Sequence, residues 1–289
     1  MTSTAVPPVG DLVRCSRLTG VLDIGANPID GDPPYKQMLE SGLCTVTGFE
    51  PQPDALAELQ RRKGPLETYL PHAVGDGATH RLSITRASGM TSLLKPDVRR
   101  LALFKGFPEW GAVTDEVEVA TRRLDDLEDV PDFDLLKIDI QGGELMVFRH
   151  GRRKLAGAVA IQVEVSFVPL YEKQPTFGDI DAELRAQGFL PHSFPAIKRW
   201  AIAPTVFGGN FRRGGNQLLE ADIVYVRDFA YPERMTTEQL SQLAMIAHHV
   251  YGSMDLARFC ILELARRGAV PAGADSQYLA RVGAAAQAT

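Results

Sequence analysis

The chain has 289 residues, 45% hydrophobic and 23% charged, enough to bury one substantial core plus an appendage and too apolar for a disordered chain. A net charge of -5 leaves no broad basic face and argues against a nucleic-acid partner, the basic runs at 149–154 and Arg212-Arg213 reading as solvated helix ends or loops. Cys15, Cys44 and Cys260 are odd in number and lack a CxxC spacing, so neither a disulfide framework nor a zinc site is expected, and the absence of a leader or a segment of membrane-spanning length suggests a cytoplasmic protein with no membrane partner.

Residues 1–18 contain prolines and little pattern, a lead-in to the first element. The run Val21-Leu22-Asp23-Ile24 is a short apolar strand that ends in a Gly25 turn, residues 35–39 start a helical pattern, and residues 45–49 are a second apolar strand. This is a βαβ unit. In doubly wound sheets a ligand lies beyond the carboxyl ends of the strands, and an acid ending the second strand accepts hydrogen bonds from ribose hydroxyls. Glu50 stands in that position, next to Pro51.

The charge of the first turn bears on which adenosine cofactor fits. A dinucleotide brings a pyrophosphate that needs Gly-rich backbone and a bare helix N-terminus. This turn offers Gly25 in register and carries Asp23, Asp30 and Asp32. Those carboxylates repel an anion but suit the ammonium and sulfonium of S-adenosylmethionine, so a methyl donor is expected and a nicotinamide dehydrogenase is disfavoured.

Further along, Pro53 opens a helix through residue 61, and residues 67–74 read as a third strand closed by His72. His72 could reach the site as a base, and Asp76 is a candidate for the adenine amino group. Residues 81–85 and 116–121 alternate as further strands. Between them, residues 88–113 keep no clean period, and read equally as a substrate lid or as an insertion packing its aromatics on the domain. Residues 134–140 form an apolar strand ending at Asp139, followed by the Gly142-Gly143 turn and a helix over 144–155. Residues 159–167 are a buried strand carrying Glu164, residues 180–187 a helix stopping at Gly188, and residues 220–227 a closing strand. His192, Trp200 and Asn210 precede that last strand, where an acceptor pocket is expected. This alternation calls for a three-layer α/β sandwich over residues 19–230. From 231 to 289 the pattern is helical, with Thr236, Thr237 and Glu238 as capping candidates. Its apolar faces are expected to pack on the main domain or to join copies of the chain as a homo-oligomer.

The ordered set Asp23-Ile24-Gly25-Ala26-Asn27, Phe49-Glu50-Pro51, Thr121-Arg122-Arg123-Leu124-Asp125-Asp126-Leu127 and Leu136-Lys137-Ile138-Asp139-Ile140-Gln141-Gly142-Gly143-Glu144 resembles the FkbM-type family of S-adenosylmethionine-dependent methyltransferases. The likeness covers roughly residues 19–229. The fourth motif is the specific one: the family pattern is similar to Lys-Ile-Asp-Val-Glu-Gly-Ala-Glu, matched at Lys137, Ile138, Asp139, Gly142 and Glu144. The chain departs from it at Ile29, where the family usually has a second Gly, and at Gln141, where it generally has Glu. The resemblance implies a Rossmann-like class I methyltransferase sheet of seven mostly parallel strands with the last antiparallel. It also implies a hydroxyl acceptor on a sugar, polyketide or similar natural product.

Methyl transfer to a hydroxyl requires alignment, exclusion of water and removal of a proton. Asp139, ending the strand beside the first one, is the leading candidate for that base, although a carboxylate there also suits cofactor binding or a turn. Glu164, an ionisable group in an apolar run, is a second candidate and His72 a third. Glu144, at a helix start, is as readily structural. Asp23, Gly25, Asn27, Glu50, Pro51, Asp76 and Asp139 are the expected cofactor contacts. Asp139 and Glu164 could hold Mg2+, but two carboxylates are a thin ligand set and no metal site is favoured. The competing reading is a degenerate methyltransferase fold serving as a binding or assembly module.

Overall fold

The structure is a computed structural model and describes residues 9–26 and 31–287, with residues 284–287 described by backbone alone. Apolar residues throughout a strand mark a position covered on both faces, and β1 (Thr19–Ile24) is buried along its whole length. A short helix, α1 (Lys36–Glu40), returns the chain to β2 (Cys44–Phe49), which runs parallel to β1. Pro53 opens α2 (Pro53–Arg62), where a missing N–H costs nothing, and β3 (Glu67–Leu70) pairs parallel to β2.

The third strand expected over 67–74 is two strands. Pro71, which cannot donate to a ladder, separates β3 from β4 (Ala73–Gly75), and β4 leaves the main sheet. The alternating segments that follow are indeed strands, β5 (Thr79–Thr85) and, after the short helices α3 (Val98–Leu101) and α4 (Phe107–Trp110), β6 (Val113–Arg123). With β4 they build a separate small sheet in the order β4-β6-β5.

The chain then re-enters the main sheet as β7 (Leu135–Ile138), beside β1. The helix expected over 144–155 is broken into α5 (Glu144–Arg149) and α6 (Arg152–Leu155) at Gly151, where a Cβ would lie 2.8 Å from Leu124 Cδ2. Next come β8 (Ala160–Ser166), α7 (Phe177–Ala186), β9 (Phe189–Trp200) and β10 (Gln217–Arg227). β9 occupies the stretch read from sequence as a pocket loop. Pro191 and Pro195 hid it, and they are tolerated because β9 is the edge strand, where a missing donor breaks no inner ladder.

The main sheet has the order β3-β2-β1-β7-β8-β10-β9, with β10 antiparallel to both neighbours. Helices cover both faces, so the fold is the Rossmann-like three-layer sandwich. Its strand order reverses between β1 and β7, the switch point above which such sheets bind ligands. On one face Leu22, Leu136 and Ile161 pack against Phe148, Leu155, Ile180 and Leu184 of α5 to α7. On the other, Val21, Val46, Leu135 and Val224 pack against the C-terminal helices α8 (Thr237–His249), α9 (Met254–Arg266) and α10 (Ala274–Gln287). Those helices bury Leu240, Leu243, Ile246, Ile261 and Tyr278 in the same core, and the lead-in adds Val9, Leu12 and Val13. Thr236 caps α8 by accepting from the Gln239 N–H at 3.1 Å, while the Glu238 carboxylate instead accepts from the Ser16 N–H at 3.0 Å. Among the described residues no helix is long and apolar enough to cross a membrane.

Candidate active site

The face covered by α8 to α10 changes character along its strands. Reading every second residue toward the carboxyl ends, β1 gives Thr19, Val21, Asp23; β7 gives Leu135, Lys137; β8 gives Ala160, Gln162, Glu164; and β10, running the other way, gives Val226, Val224, Asp222. Register aligns the polar ends: Asp23 is opposite Lys137, Lys137 opposite Gln162, and Glu164 opposite Asp222. They border a cleft of about 390 Å³ that is also walled by the turns after β1, β2 and β7, by His72 to Val74, by Ser88, Gly89 and Thr91 to Leu93, by Leu82 and Val119 of the small sheet, and by Ala196 and Lys198 of β9.

At the β1 end, Gly25 has φ 83°, and a Cβ on it would lie 2.1 Å from the Asp139 carbonyl oxygen. The two turns therefore touch, and only glycine fits. Asp23 is 2% exposed. Its Oδ2 accepts from the Tyr35 hydroxyl at 2.5 Å, and its Oδ1 lies 3.2 Å from Lys137 Nζ. Lys137 Nζ also donates to the Gly25 carbonyl at 3.0 Å. Burial pushes the Asp23 carboxyl above its usual range against the pull of Lys137. Asp23 thus braces the turn from beneath through partners of its own chain.

Glu50, also buried, uses Oε1 to accept from the Gln52 N–H at 2.8 Å. Its Oε2 has no partner among the described residues and is free for a ligand. Burial raises its carboxyl above the usual range, as befits an acceptor waiting for donors. Gly25 supplies a close backbone approach and Glu50, one strand from the switch point, a carboxylate oxygen with no partner among the described residues, so the residues present fit an adenosine cofactor.

At the β7 end, the Gln141 carboxamide joins two acids: its Nε2 donates to Asp139 Oδ1 at 2.9 Å and to Glu164 Oε2 at 2.8 Å. Gln141 adopts φ 57°, unusual for a side-chain-bearing residue. It is held there by the Ser92 hydroxyl donating to its carbonyl at 2.7 Å, while the Tyr171 hydroxyl, which donates to the Met90 carbonyl at 2.9 Å, lies 3.3 Å from Oε1. Lys198 Nζ lies 3.2 Å from Glu164 Oε1 and 2.8 Å from Glu220 Oε1. Burial, followed by the charges of Asp139 and Glu220, pushes the Glu164 carboxyl well above its usual range. Glu144 accepts from the N–H groups of Ile140 and Gly142 at 2.9 and 3.2 Å, so it shapes the turn, and burial lifts its carboxyl to about 7.

Of the residues singled out in the sequence, Asp23, Gly25, Glu50, Pro51, His72, Asp139 and Glu164 all line this one cleft. His72 is engaged by Arg122 Nη1 at 3.1 Å. Asp76 does not line it. Its Oδ1 accepts from the Ala78 N–H and from His80 Nε2, each at 2.8 Å, and the His80 contact first of all holds its carboxyl down at about 2. Asn27 and Asp30 lie outside the described residues. His192, Trp200 and Asn210 are also absent from the lining: His192 Nε2 meets Ser253 Oγ at 2.8 Å, and Trp200 packs edge-on to Phe107 and Trp110. Residues 88–113 divide between both readings, Ser88, Gly89 and Thr91 to Leu93 lining the cleft while Met90, Phe104 and Phe107 join a small apolar core.

Sequence reasoning assigned no site role to Lys137, Gln141, Gln162, Lys198 or Asp222, which also line the cleft. Polar residues at alternate positions of otherwise apolar strands were the available signal for Lys137, Gln162 and Asp222. Among the described residues no group of three or more His, Cys, Asp or Glu side chains is arranged to hold a metal ion.

A reversed-β10 Rossmann-like sheet with an acid closing its second strand and a cleft over the switch point defines the class I methyltransferase architecture. The model for the Methyltransferase FkbM domain matches residues 23–191, more than half of the chain. The chain belongs to this FkbM family of S-adenosylmethionine-dependent methyltransferases.

It is 29% identical over 166 residues to the 2-O-methyltransferase NoeI of Sinorhizobium fredii (strain NBRC 101917 / NGR234), a match spanning 53% of this chain and 66% of that protein. Among solved structures it is similar to magnesium protoporphyrin IX methyltransferase (ChlM) from Synechocystis PCC 6803 with bound SAM, at 12% identity and TM-score 0.34, covering 75% of this chain and 70% of that one. A TehB-like SAM-dependent methyltransferase from Corynebacterium glutamicum is similar at 14% identity and TM-score 0.35, covering 74% and 82%. At these scores the fold assignment rests on the strand order of the chain itself.

Proposed function

We propose that this protein transfers a methyl group from S-adenosylmethionine to a hydroxyl oxygen of a small molecule. Bound S-adenosylmethionine supplies a carbon already activated by its sulfonium, so the chain's own work is to orient, to exclude water and to accept a proton. Glu50 would hold the ribose hydroxyls through its free Oε2, with Pro51 and Gly25 shaping the approach and Asp139 closing the turn opposite. Asp23 acts beneath this turn with Lys137.

The observation that carries the reading is the state of Asp139. One of its oxygens is fixed by Gln141, the other has no partner among the described residues, and its backbone abuts the Gly25 turn. It therefore offers an unengaged carboxylate oxygen in the cleft beside the Gly25 turn, as a general base for a hydroxyl requires. Glu164 is less free, since Gln141 and Lys198 take an oxygen each, and it serves to orient. His72 is the weaker base candidate because Arg122 occupies its Nε2. The 2-O-methyltransferase relative is in keeping with an oxygen acceptor.

Calorimetric titration with S-adenosylmethionine, S-adenosylhomocysteine and NAD tests the first half. Micromolar binding of the two adenosyl thioethers, absent for NAD and weakened at least about tenfold in Glu50→Ala by the loss of charge-assisted hydrogen bonds, is expected. A folded protein that binds neither thioether would refute the assignment and favour a non-catalytic module. Acceptor screening with Asp139→Asn then tests the base: turnover should fall about 10²-fold or more while thioether binding persists.

A further inference from the structure

Gln162 on β8 is 8% exposed, and its Oε1 is buried without a hydrogen-bond partner among the described residues. A buried acceptor left unmet is costly, so such groups point to something that binds there. On the adjacent strand β10, Asp222 stands opposite Glu164 and therefore diagonal to Gln162 on the same face. Its carboxylate makes no hydrogen bond or ion pair with any described residue. Both line the cleft, and neither has a part in the cofactor turn or the base assignment above. Glu50 follows β2, three strand spacings from Gln162 and four from Asp222, roughly 14 and 19 Å at the usual separation, so the adenosine end is elsewhere.

The charge of this wall selects the occupant. Asp139, Glu164 and Asp222 line it together with Lys198, whose Nζ is shared between Glu164 and Glu220, while Lys137 is committed to Asp23 and Gly25. Carboxylates outnumber the cations available to them. A water or neutral hydroxyl would satisfy hydrogen bonds but leave the half-buried Asp222 charge with only the distant pull of Lys198 and Lys137, which is expensive in a poorly solvated site. Burial first, then the nearby Asp139 charge, raise the Asp222 carboxyl above its usual range against the weaker pull of Lys198 and Lys137. A group with several N–H donors and a positive charge satisfies Gln162 Oε1 and Asp222 at once.

We infer that Gln162 and Asp222 form a subsite for a primary ammonium group of the methyl acceptor, making the substrate class an amino alcohol such as an amino sugar. The inference rests on the methyltransferase reading and adds a direction to it. An ammonium held between acceptors keeps its proton and has no lone pair with which to attack, so the same subsite would reserve methylation for the hydroxyl facing Asp139.

The test is ligand-observed NMR titration of the protein saturated with S-adenosylhomocysteine, using D-glucosamine below neutral pH and D-glucose, which differ by an ammonium in place of a hydroxyl. Glucosamine should bind at least about tenfold more tightly, the worth of a charge-assisted pair. Asp222→Asn should abolish that preference and Gln162→Leu reduce it, with S-adenosylhomocysteine affinity unchanged in both. Equal binding of the two sugars, binding of neither, or a preference surviving Asp222→Asn would overturn the subsite while leaving the methyltransferase reading intact. Weakened S-adenosylhomocysteine binding in the variants would reassign these residues to the cofactor and also overturn it. Failure of the wild-type protein to bind S-adenosylhomocysteine would instead strike the functional reading itself.

Discussion

Lys137 and Asp23 form an ion pair at 3.2 Å beneath the Gly25 turn, joining β7 to β1 across the switch point. The partners differ in access to water, with side chains 19% and 2% exposed. Lys137→Met would leave Asp23 as a buried anion with only Tyr35 as donor, at a cost of about 3–5 kcal/mol. Asp23→Asn leaves an ammonium that can turn toward the cleft and should cost less, about 1–3 kcal/mol. Denaturant melts of both and of the double variant check this, the double being expected to cost less than the sum. Equal single-variant losses would argue against the asymmetry.

Gly25→Ala should be far more damaging than Gly42→Ala. Both glycines have positive φ, 83° and 69°, but a Cβ at position 25 would meet the Asp139 carbonyl while one at 42 meets nothing within 4 Å. The expected losses are more than about 3 kcal/mol and about 1 kcal/mol, the second being the conformational cost alone. Thermal unfolding of the pair separates collision from backbone preference.

Glu144 makes stability fall with rising pH. Its carboxyl titrates near 7 in the folded chain against an ordinary 4.5, so the unfolded chain gives up that proton first. The contribution is fully present below the ordinary value, is lost as pH rises through the folded one, and is flat above it, amounting to about 3 kcal/mol. Glu144→Gln keeps an acceptor for the Ile140 and Gly142 N–H groups and should flatten the decline. A variant that melts in parallel with wild type across this range would contradict it.

Gln141→Glu would replace the bridging donor with a third carboxylate beside Asp139 and Glu164. Ionised, it leaves both acceptors unmet and adds repulsion, about 2 kcal/mol of destabilisation; protonated, it can still donate to one of them. The melting temperature of the variant should therefore approach that of wild type in acid and fall away from it as pH rises. A gap independent of pH would show that the bridge holds the turn by shape alone.

The elements whose signals are local were readable without a structure. Apolar runs ending at the Gly25 turn, at Glu50 and at Asp139 mark strand ends, because a strand covered on both faces reads as a nearly continuous apolar run until the chain turns. Seven of the singled-out residues consequently meet in one cleft. β9 escaped notice because its prolines and mixed polarity are compatible with a strand only at a sheet edge, and nothing local says which strand will be the edge. Asp76 was drawn to the site by its place after a strand, whereas His80 and the Ala78 N–H hold it in a turn outside the lining.

The βα alternation, the family motifs and the turns that end the apolar strands were all legible along the chain, because each is a consequence of periodicity and burial over a few residues. It took the assembled sheet to show that Lys137 braces Asp23 from 114 positions away, that Gln141 ties Asp139 to Glu164, and that Gln162, its Oε1 unmet, lies diagonal to Asp222. Those relationships depend on which strands become neighbours and on their register. A shift of one residue would turn each of these side chains to the opposite face.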